Sequence, residues 1–106
     1  MRISHLLIAA TFLAYAPIAY AAGVPNADAG RQLVQRSCSS CHALNAASTA
    51  TDGAPPLSVI AKDNKERPAW IRGWLMEPHP PMPSISLSRQ QIDDVIAYLR
   101  TLAPAD

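Results

Sequence analysis

The sequence has almost no net charge, no pattern typical of β-strands and few aromatic residues. Its 106 residues carry a formal net charge of +1 and include one Phe, two Trp and three Tyr. A charge this small excludes bulk nucleic acid as the main partner. Because no sustained run alternates β-branched with polar residues, the pattern does not predict a sheet. At this length, without internal repeats, one domain is expected.

The N-terminus carries an apolar segment that ends in a processing signal. Leu6–Ala16 is an almost unbroken apolar run, and Ala19-Tyr20-Ala21 has the A-x-A form of a signal-peptidase site. The run is shorter than the ~20 residues that span a membrane. We therefore predict a secretory signal peptide at 1–21 and one exported, periplasmic domain at 22–106, without stable membrane insertion after cleavage. An uncleaved N-terminal anchor is the alternative.

Cleavage leaves a small chain that needs a stabilising group. Removing 21 of 106 residues leaves 85, and losing Arg2 leaves eight basic and eight acidic side chains. A chain of this size buries too little apolar surface to be comfortably stable alone. It needs a disulfide, a metal or a large apolar cofactor. Cys38 and Cys41, the two cysteines, lie in one short segment and could serve any of the three.

The C-terminal region has the strongest helical pattern. Ser88 and Gln91 form an S-x-x-Q capping box, which predicts a helix over Arg89–Leu102. Asp93 and Asp94 are expected to interact with the positive start of its dipole. Apolar residues recur at helical spacing, so one face should be buried. They are Ile92, Val95, Ile96 and Leu99.

Three further helices are predicted upstream. One opens near Asn26 or Asp28, both good N-caps, and contains Gly30, which indicates a close packing contact. A short helix covers about Leu57–Ala61, and another starts near Pro68, a residue that is tolerated in a first helical turn. The expected fold is therefore all-α, with three main helices, proline-rich loops and no sheet. The third helix should bury an apolar face formed by Trp70, Ile71, Trp74 and Leu75.

Residues 38–42 form the motif that carries the chemistry. Cys38-Ser39-Ser40-Cys41-His42 is a C-x-x-C-H sequence, which is typical of c-type haem attachment. Each thiol can add to one haem vinyl group, and the adjacent imidazole of His42 can then ligate the iron. The motif predicts one covalent haem c. An exported location agrees with it, because this attachment is made outside the bacterial cytoplasm.

Three other interpretations of the cysteine pair are weaker. A thiol–disulfide site of thioredoxin type would require a central sheet, which the sequence does not predict. A zinc site would need four ligands, but the adjacent Cys41 and His42 cannot easily both reach one metal, even with Cys38 and His79 added. A structural disulfide would close only a tiny loop and add little stability.

From residue 22 onward the sequence resembles the class I c-type cytochrome family over essentially its whole length. The family's glycine and apolar pair before the first cysteine are matched by Gly30, Leu33 and Val34, although an aromatic residue is common at the last position. Ala97-Tyr98-Leu99 matches the A-Y-L motif of the family's terminal helix. The resemblance implies a cytochrome c-like fold around one haem. In it the first and last helices cross near Gly30 and Tyr98.

The same resemblance implies a partner for the proximal histidine. Residues 53–57 read Gly-Ala-Pro-Pro-Leu, which is similar to the family's G-P-x-L segment with Ala54 inserted. In the family the proline carbonyl accepts a hydrogen bond from the iron-ligating histidine. This implies that the carbonyl of Pro55 accepts from His42.

The resemblance also implies the second axial ligand. Pro81-Met82-Pro83 is similar to the family's loop with an axial methionine, which places Met82 at the iron. Met82 follows His42 by forty residues, enough chain to circle the haem, and its thioether is a suitable soft ligand. Met76 and His79 are the other candidates. We expect Met76 to pack or line the pocket, and His79 to be solvated. Trp70 and Trp74 are expected to be mainly core residues, with lining of the haem pocket as the alternative.

The function implied is outer-sphere electron transfer between a donor and an acceptor redox protein, without catalysis. The alternative is a haem-bearing subunit docked to a larger partner in a periplasmic dehydrogenase or oxidase. A haem-based gas sensor would require a labile sixth ligand. Lys62–Arg72 has four basic and two acidic residues, and 78–85 has no charge unless His79 is protonated. We therefore expect docking to be mainly apolar, with little electrostatic steering.

Overall fold

The computed structural model describes residues 23–45, 53–77 and 79–103. The predicted signal peptide lies outside these residues. The described part contains α-helices and no strand, as the sequence predicts. None of its helices is long and apolar enough to cross a membrane. In chain order the helices are α1 (Ala27–Ser37), α2 (Leu57–Asp63), α3 (Pro68–Met76) and α4 (Arg89–Leu102).

Helix α1 starts at a side-chain cap. The side-chain oxygen of Asn26 accepts from the backbone N–H groups of Asp28, at 2.9 Å, and Ala29, at 3.0 Å. These are two of the amides that the first helical turn leaves without a partner. Of the two predicted N-cap residues, Asn26 is the one that caps the helix. The helix then buries Gly30, Leu33 and Val34, which share one face because of their i, i+3, i+4 spacing.

Helix α4 is the central element of the core. It has the predicted bounds, and the capping box of Ser88 and Gln91 is formed in both directions. The buried residues of α2 and α3 pack into the same apolar cluster as those of α4. Leu57 and Ala61 come from α2, and Ile71 comes from α3, which begins with Pro68 at its first position. The short helices therefore bury their apolar residues in the core that α4 forms.

Helix α1 crosses α4 at Gly30. A Cβ atom at Gly30 would overlap the backbone carbonyl of Asp94 and would lie 3.0 Å from the Cβ of Tyr98. The crossing therefore falls where Gly30 and Tyr98 were expected to meet. Its tightest contact, however, joins backbone to backbone, which only glycine permits.

The two aspartates of α4 contact other segments of the chain. The Oδ1 atom of Asp94 accepts from the backbone N–H of Asn26 and from Nε2 of Gln90, both at 2.8 Å. Asp93 forms an ion pair with Arg72 of α3. The interpretation of both as partners of the helix dipole is wrong, because the first turn of α4 contains no acidic residue. They lie in the second turn and hold α1 and α3 against α4.

Candidate functional site

An apolar cavity lies between α4 and the segment that carries the C-x-x-C-H motif. It encloses about 490 Å³ of empty space, part of which is open to solvent. Three of the predicted site residues, Cys38, His42 and Met82, line it together, whereas Cys41 and Pro55 do not. The remaining lining residues are Val34, Leu57, Ile60, Trp70, Ile71, Trp74, Leu75, Val95 and Leu99.

The two cysteines sit at the end of α1. Cys38 is the C-cap residue of this helix, and a turn follows in which its carbonyl accepts from the amides of Cys41, at 3.2 Å, and His42, at 2.9 Å. This turn places Cys38 and His42 on the same cavity. Burial, and to a smaller degree the neighbouring Cys41, raises the pKa of the Cys38 thiol. A reactive disulfide-exchange thiol usually has a lowered pKa, so this environment disfavours the thioredoxin-type interpretation.

His42 is oriented by a hydrogen bond across the loop. Its Nδ1 atom lies 2.8 Å from the carbonyl oxygen of Pro55. Because a carbonyl can only accept, Nδ1 carries the hydrogen and Nε2 keeps a free lone pair. The inserted Ala54 does not displace this contact to Pro56. The imidazole therefore presents the nitrogen that a metal would need, with its ring already fixed.

The three candidates for the second axial ligand differ in position. Met82 is half-buried and lines the cavity, whereas Met76 and His79 do not line it. The expectation that Met76 packs or forms a pocket wall is wrong. Met76 is the last residue of α3 and is 56% exposed.

Trp70 and Trp74 line the cavity, in agreement with the alternative expectation for them, and do not lie in the core. Their exposed fractions are 43% and 48%. The two indoles stack with ring centroids 5.4 Å apart and planes 12° apart. Ile71 is the buried residue of this nine-residue helix, with an exposed fraction of 6%. A helix this short has one stripe to bury against α4, and the indoles lie beside that stripe.

These residues fit a covalently attached haem. A thioether-bound haem requires two thiols at its edge, an imidazole nitrogen on one face, a second donor on the other face and apolar walls. Cys38 and Cys41 fit the C-x-x-C-H motif, and His42 offers Nε2 beside the cavity. The thioether of Met82 borders the same space. The donor set and the walls therefore suit one haem.

The chain belongs to the cytochrome c family: the family model for cytochrome c matches residues 27–103, which is most of its length. A particular relative is cytochrome c-552 of Bradyrhizobium diazoefficiens. It is 33% identical over 101 residues, which cover 94% of this chain and 97% of that protein. No solved structure matches the chain significantly. The cofactor is thus covalent haem c, and the protein is a haem-based electron carrier.

Proposed function

We propose that the protein is a periplasmic one-electron carrier with His/Met axial ligation. In this proposal Cys38 and Cys41 hold the haem, and His42 and Met82 bind its iron. The observation that carries the axial assignment is that both side chains line the same apolar cavity as Cys38, whereas Met76 and His79 do not. The haem, when bound, supplies an iron centre that alternates between the ferric and ferrous states.

The residues around the cavity tune this centre. The hydrogen bond from His42 to Pro55 fixes the ring and increases its basicity as a ligand. The thioether of Met82 favours the softer ferrous state and so raises the reduction potential. If His42 and Met82 both hold the iron, no position would remain on it for a substrate, which suits outer-sphere electron transfer. The lining would surround the haem mostly with apolar side chains.

Export is part of the proposal. It is supported by the apolar run in 1–21 and its A-x-A end, and by a C-x-x-C-H motif whose haem is attached outside the cytoplasm. The mature domain would then comprise 22–106. The partners that we propose are a donor and an acceptor redox protein that bind transiently near the cavity. The loop that carries Met82, residues 78–85, contains no Asp, Glu, Lys or Arg. This docking is therefore mainly apolar.

The test is denaturing mass spectrometry of periplasmic protein made together with haem-attachment machinery. We expect a chain that begins at Ala22 and carries the mass of one haem. The double variant Cys38→Ala/Cys41→Ala should lose this mass, and the matched control Ser40→Ala should keep it. An unmodified chain with a reducible Cys38–Cys41 disulfide would contradict the proposal.

A further inference from the structure

The turn that carries Met82 is held at its ends. An isolated antiparallel bridge joins His79 to Met82, and the two residues between them are Pro80 and Pro81. Neither proline has a backbone N–H, so neither can donate a hydrogen bond that would stabilise the turn from within. The position of Met82 therefore depends on what holds His79.

The imidazole of His79 packs against α3. Its ring centroid lies 3.8 Å from that of Trp74, with the two planes tilted by 44°. Trp74 itself lines the cavity together with Met82. His79 is half-buried, so the expectation that it is simply solvated is wrong. The ring contact joins the turn to the wall of the cavity.

A hydrogen bond also holds the imidazole ring of His79. The Nδ1 atom of His79 lies 2.8 Å from the carbonyl oxygen of Glu77. Since that carbonyl accepts, Nδ1 is the protonated nitrogen. The Nε2 atom is buried and has no hydrogen-bond partner among the residues that the structure describes. The aromatic contact with Trp74 and the Nδ1 bond are therefore the contacts that hold the ring in place.

We propose that His79 is a positioning residue for Met82. Its ring packs against Trp74, and this contact holds the turn and keeps the thioether beside the cavity. The inference rests on the proposed axial role of Met82. Because His79 does not line the cavity, it acts through the turn and not as a ligand. Loss of the ring lets the turn move away from α3, so that the thioether leaves the iron more often and an external ligand competes more successfully.

The experiment is a titration of the ferric holoprotein with imidazole, well below the unfolding temperature. We expect His79→Ala to bind imidazole about tenfold more tightly than the unsubstituted protein, since it loses both the ring contact and a hydrogen bond. His79→Phe keeps an aromatic ring against Trp74 and should stay within about threefold. The matched control Met76→Ala removes an exposed side chain three residues before His79. It should leave the affinity for imidazole unchanged. The thermal midpoint of each variant is recorded separately, because a merely structural role would change that value alone.

Met82→Ala is titrated first as the reference. If it binds imidazole no better than the unsubstituted protein, the proposed axial role fails. If it binds much more tightly and His79→Ala does not, the axial role stands and the positioning role is overturned. Equal gains for His79→Phe and His79→Ala would also overturn it, because the ring contact would not be what holds the turn.

Discussion

The two sides of α4 are built in different ways. Toward α1, helix backbones touch at Gly30 and Asp94, and the buried carboxylate of Asp94 accepts from the backbone N–H of Asn26, the N-cap of α1. Toward the cavity, α4 contributes Val95 and Leu99, and the rest of the lining comes from the end of α1, from α2, from α3 with its half-exposed indole pair, and from the turn that carries Met82. The first side sets the helix geometry, and the second leaves room for a large cofactor. Stability and redox chemistry should therefore respond to different substitutions.

The helix crossing should be the most sensitive place for stability. Gly30→Ala adds a Cβ atom that overlaps the Asp94 carbonyl, so the helices must separate. We expect the free energy of unfolding, measured with urea on the holoprotein, to fall by about 3 kcal/mol, the upper end of typical overpacking costs. The haem should remain attached.

Gly73 of α3 offers a matched control. A Cβ atom there would meet no heavy atom within 4 Å. Gly73→Ala should raise stability by up to ~1 kcal/mol, through helix propensity alone. If both glycine variants gain stability, the helices do not meet as closely as described.

Substitutions beside the cavity should instead change the redox properties more than the stability. Met82→Ala removes the proposed axial sulfur and should lower the reduction potential by about 100 mV or more, within the ~0.8 V range that axial ligands cover. A one-electron shift of ~59 mV is a tenfold change in the redox equilibrium. Voltammetry measures this shift, and carbon monoxide binding to the reduced protein reports the opened position. Met76→Ala should change neither, and an unaltered spectrum in Met82→Ala would refute the assignment.

A smaller effect is expected from the adjacent aspartates of α4. Asp94 is buried and accepts two hydrogen bonds, so Asp94→Ala should reduce the free energy of unfolding by about 1.5 kcal/mol. Asp93 pairs with Arg72, whose side chain is 40% exposed. Asp93→Ala should therefore cost less than ~1 kcal/mol. If both variants lose the same free energy of unfolding in urea titrations, the carboxylate of Asp94 does not anchor α1.

The smallest effect should appear at the docking surface. The loop 78–85 contains no Asp, Glu, Lys or Arg, and the chain without the predicted signal peptide would have eight charges of each sign. Electron-transfer rates with the physiological partner, followed by stopped-flow absorbance, should change by only about fivefold between ~10 and ~150 mM salt. A steep fall would instead assign docking to the basic stretch Lys62–Arg72.

Local signals were enough to predict much of the fold. Helix α4 and its cap follow from the spacing of Ser88 and Gln91 and from the apolar stripe after them. The start of α3 follows from Pro68. The cofactor follows from the C-x-x-C-H sequence, because the chemistry of attachment dictates the spacing of its thiols.

What the sequence did not show depends on contacts between distant residues. Asp94 acts on an amide 68 positions earlier, and its place in α4 suggested only a dipole interaction. His79 looks like an isolated loop histidine until α3 brings Trp74 beneath its ring. The indoles fit an apolar helical stripe, but a short helix could bury only Ile71 against α4. These positions follow from tertiary packing, which helical spacing does not specify.

The contact between α1 and α4 also sets the order of folding. It joins the two ends of the described chain, and its carboxylate bond spans 68 positions. Contacts between residues this distant in sequence form only after a long loop has closed, and closing that loop costs conformational entropy. A chain still lacking α4 cannot bury the main apolar face of α1. If the protein is exported as proposed and crosses the membrane as an extended chain, this core can close only after α4 has crossed, and until then the motif that takes the haem is accessible on the far side.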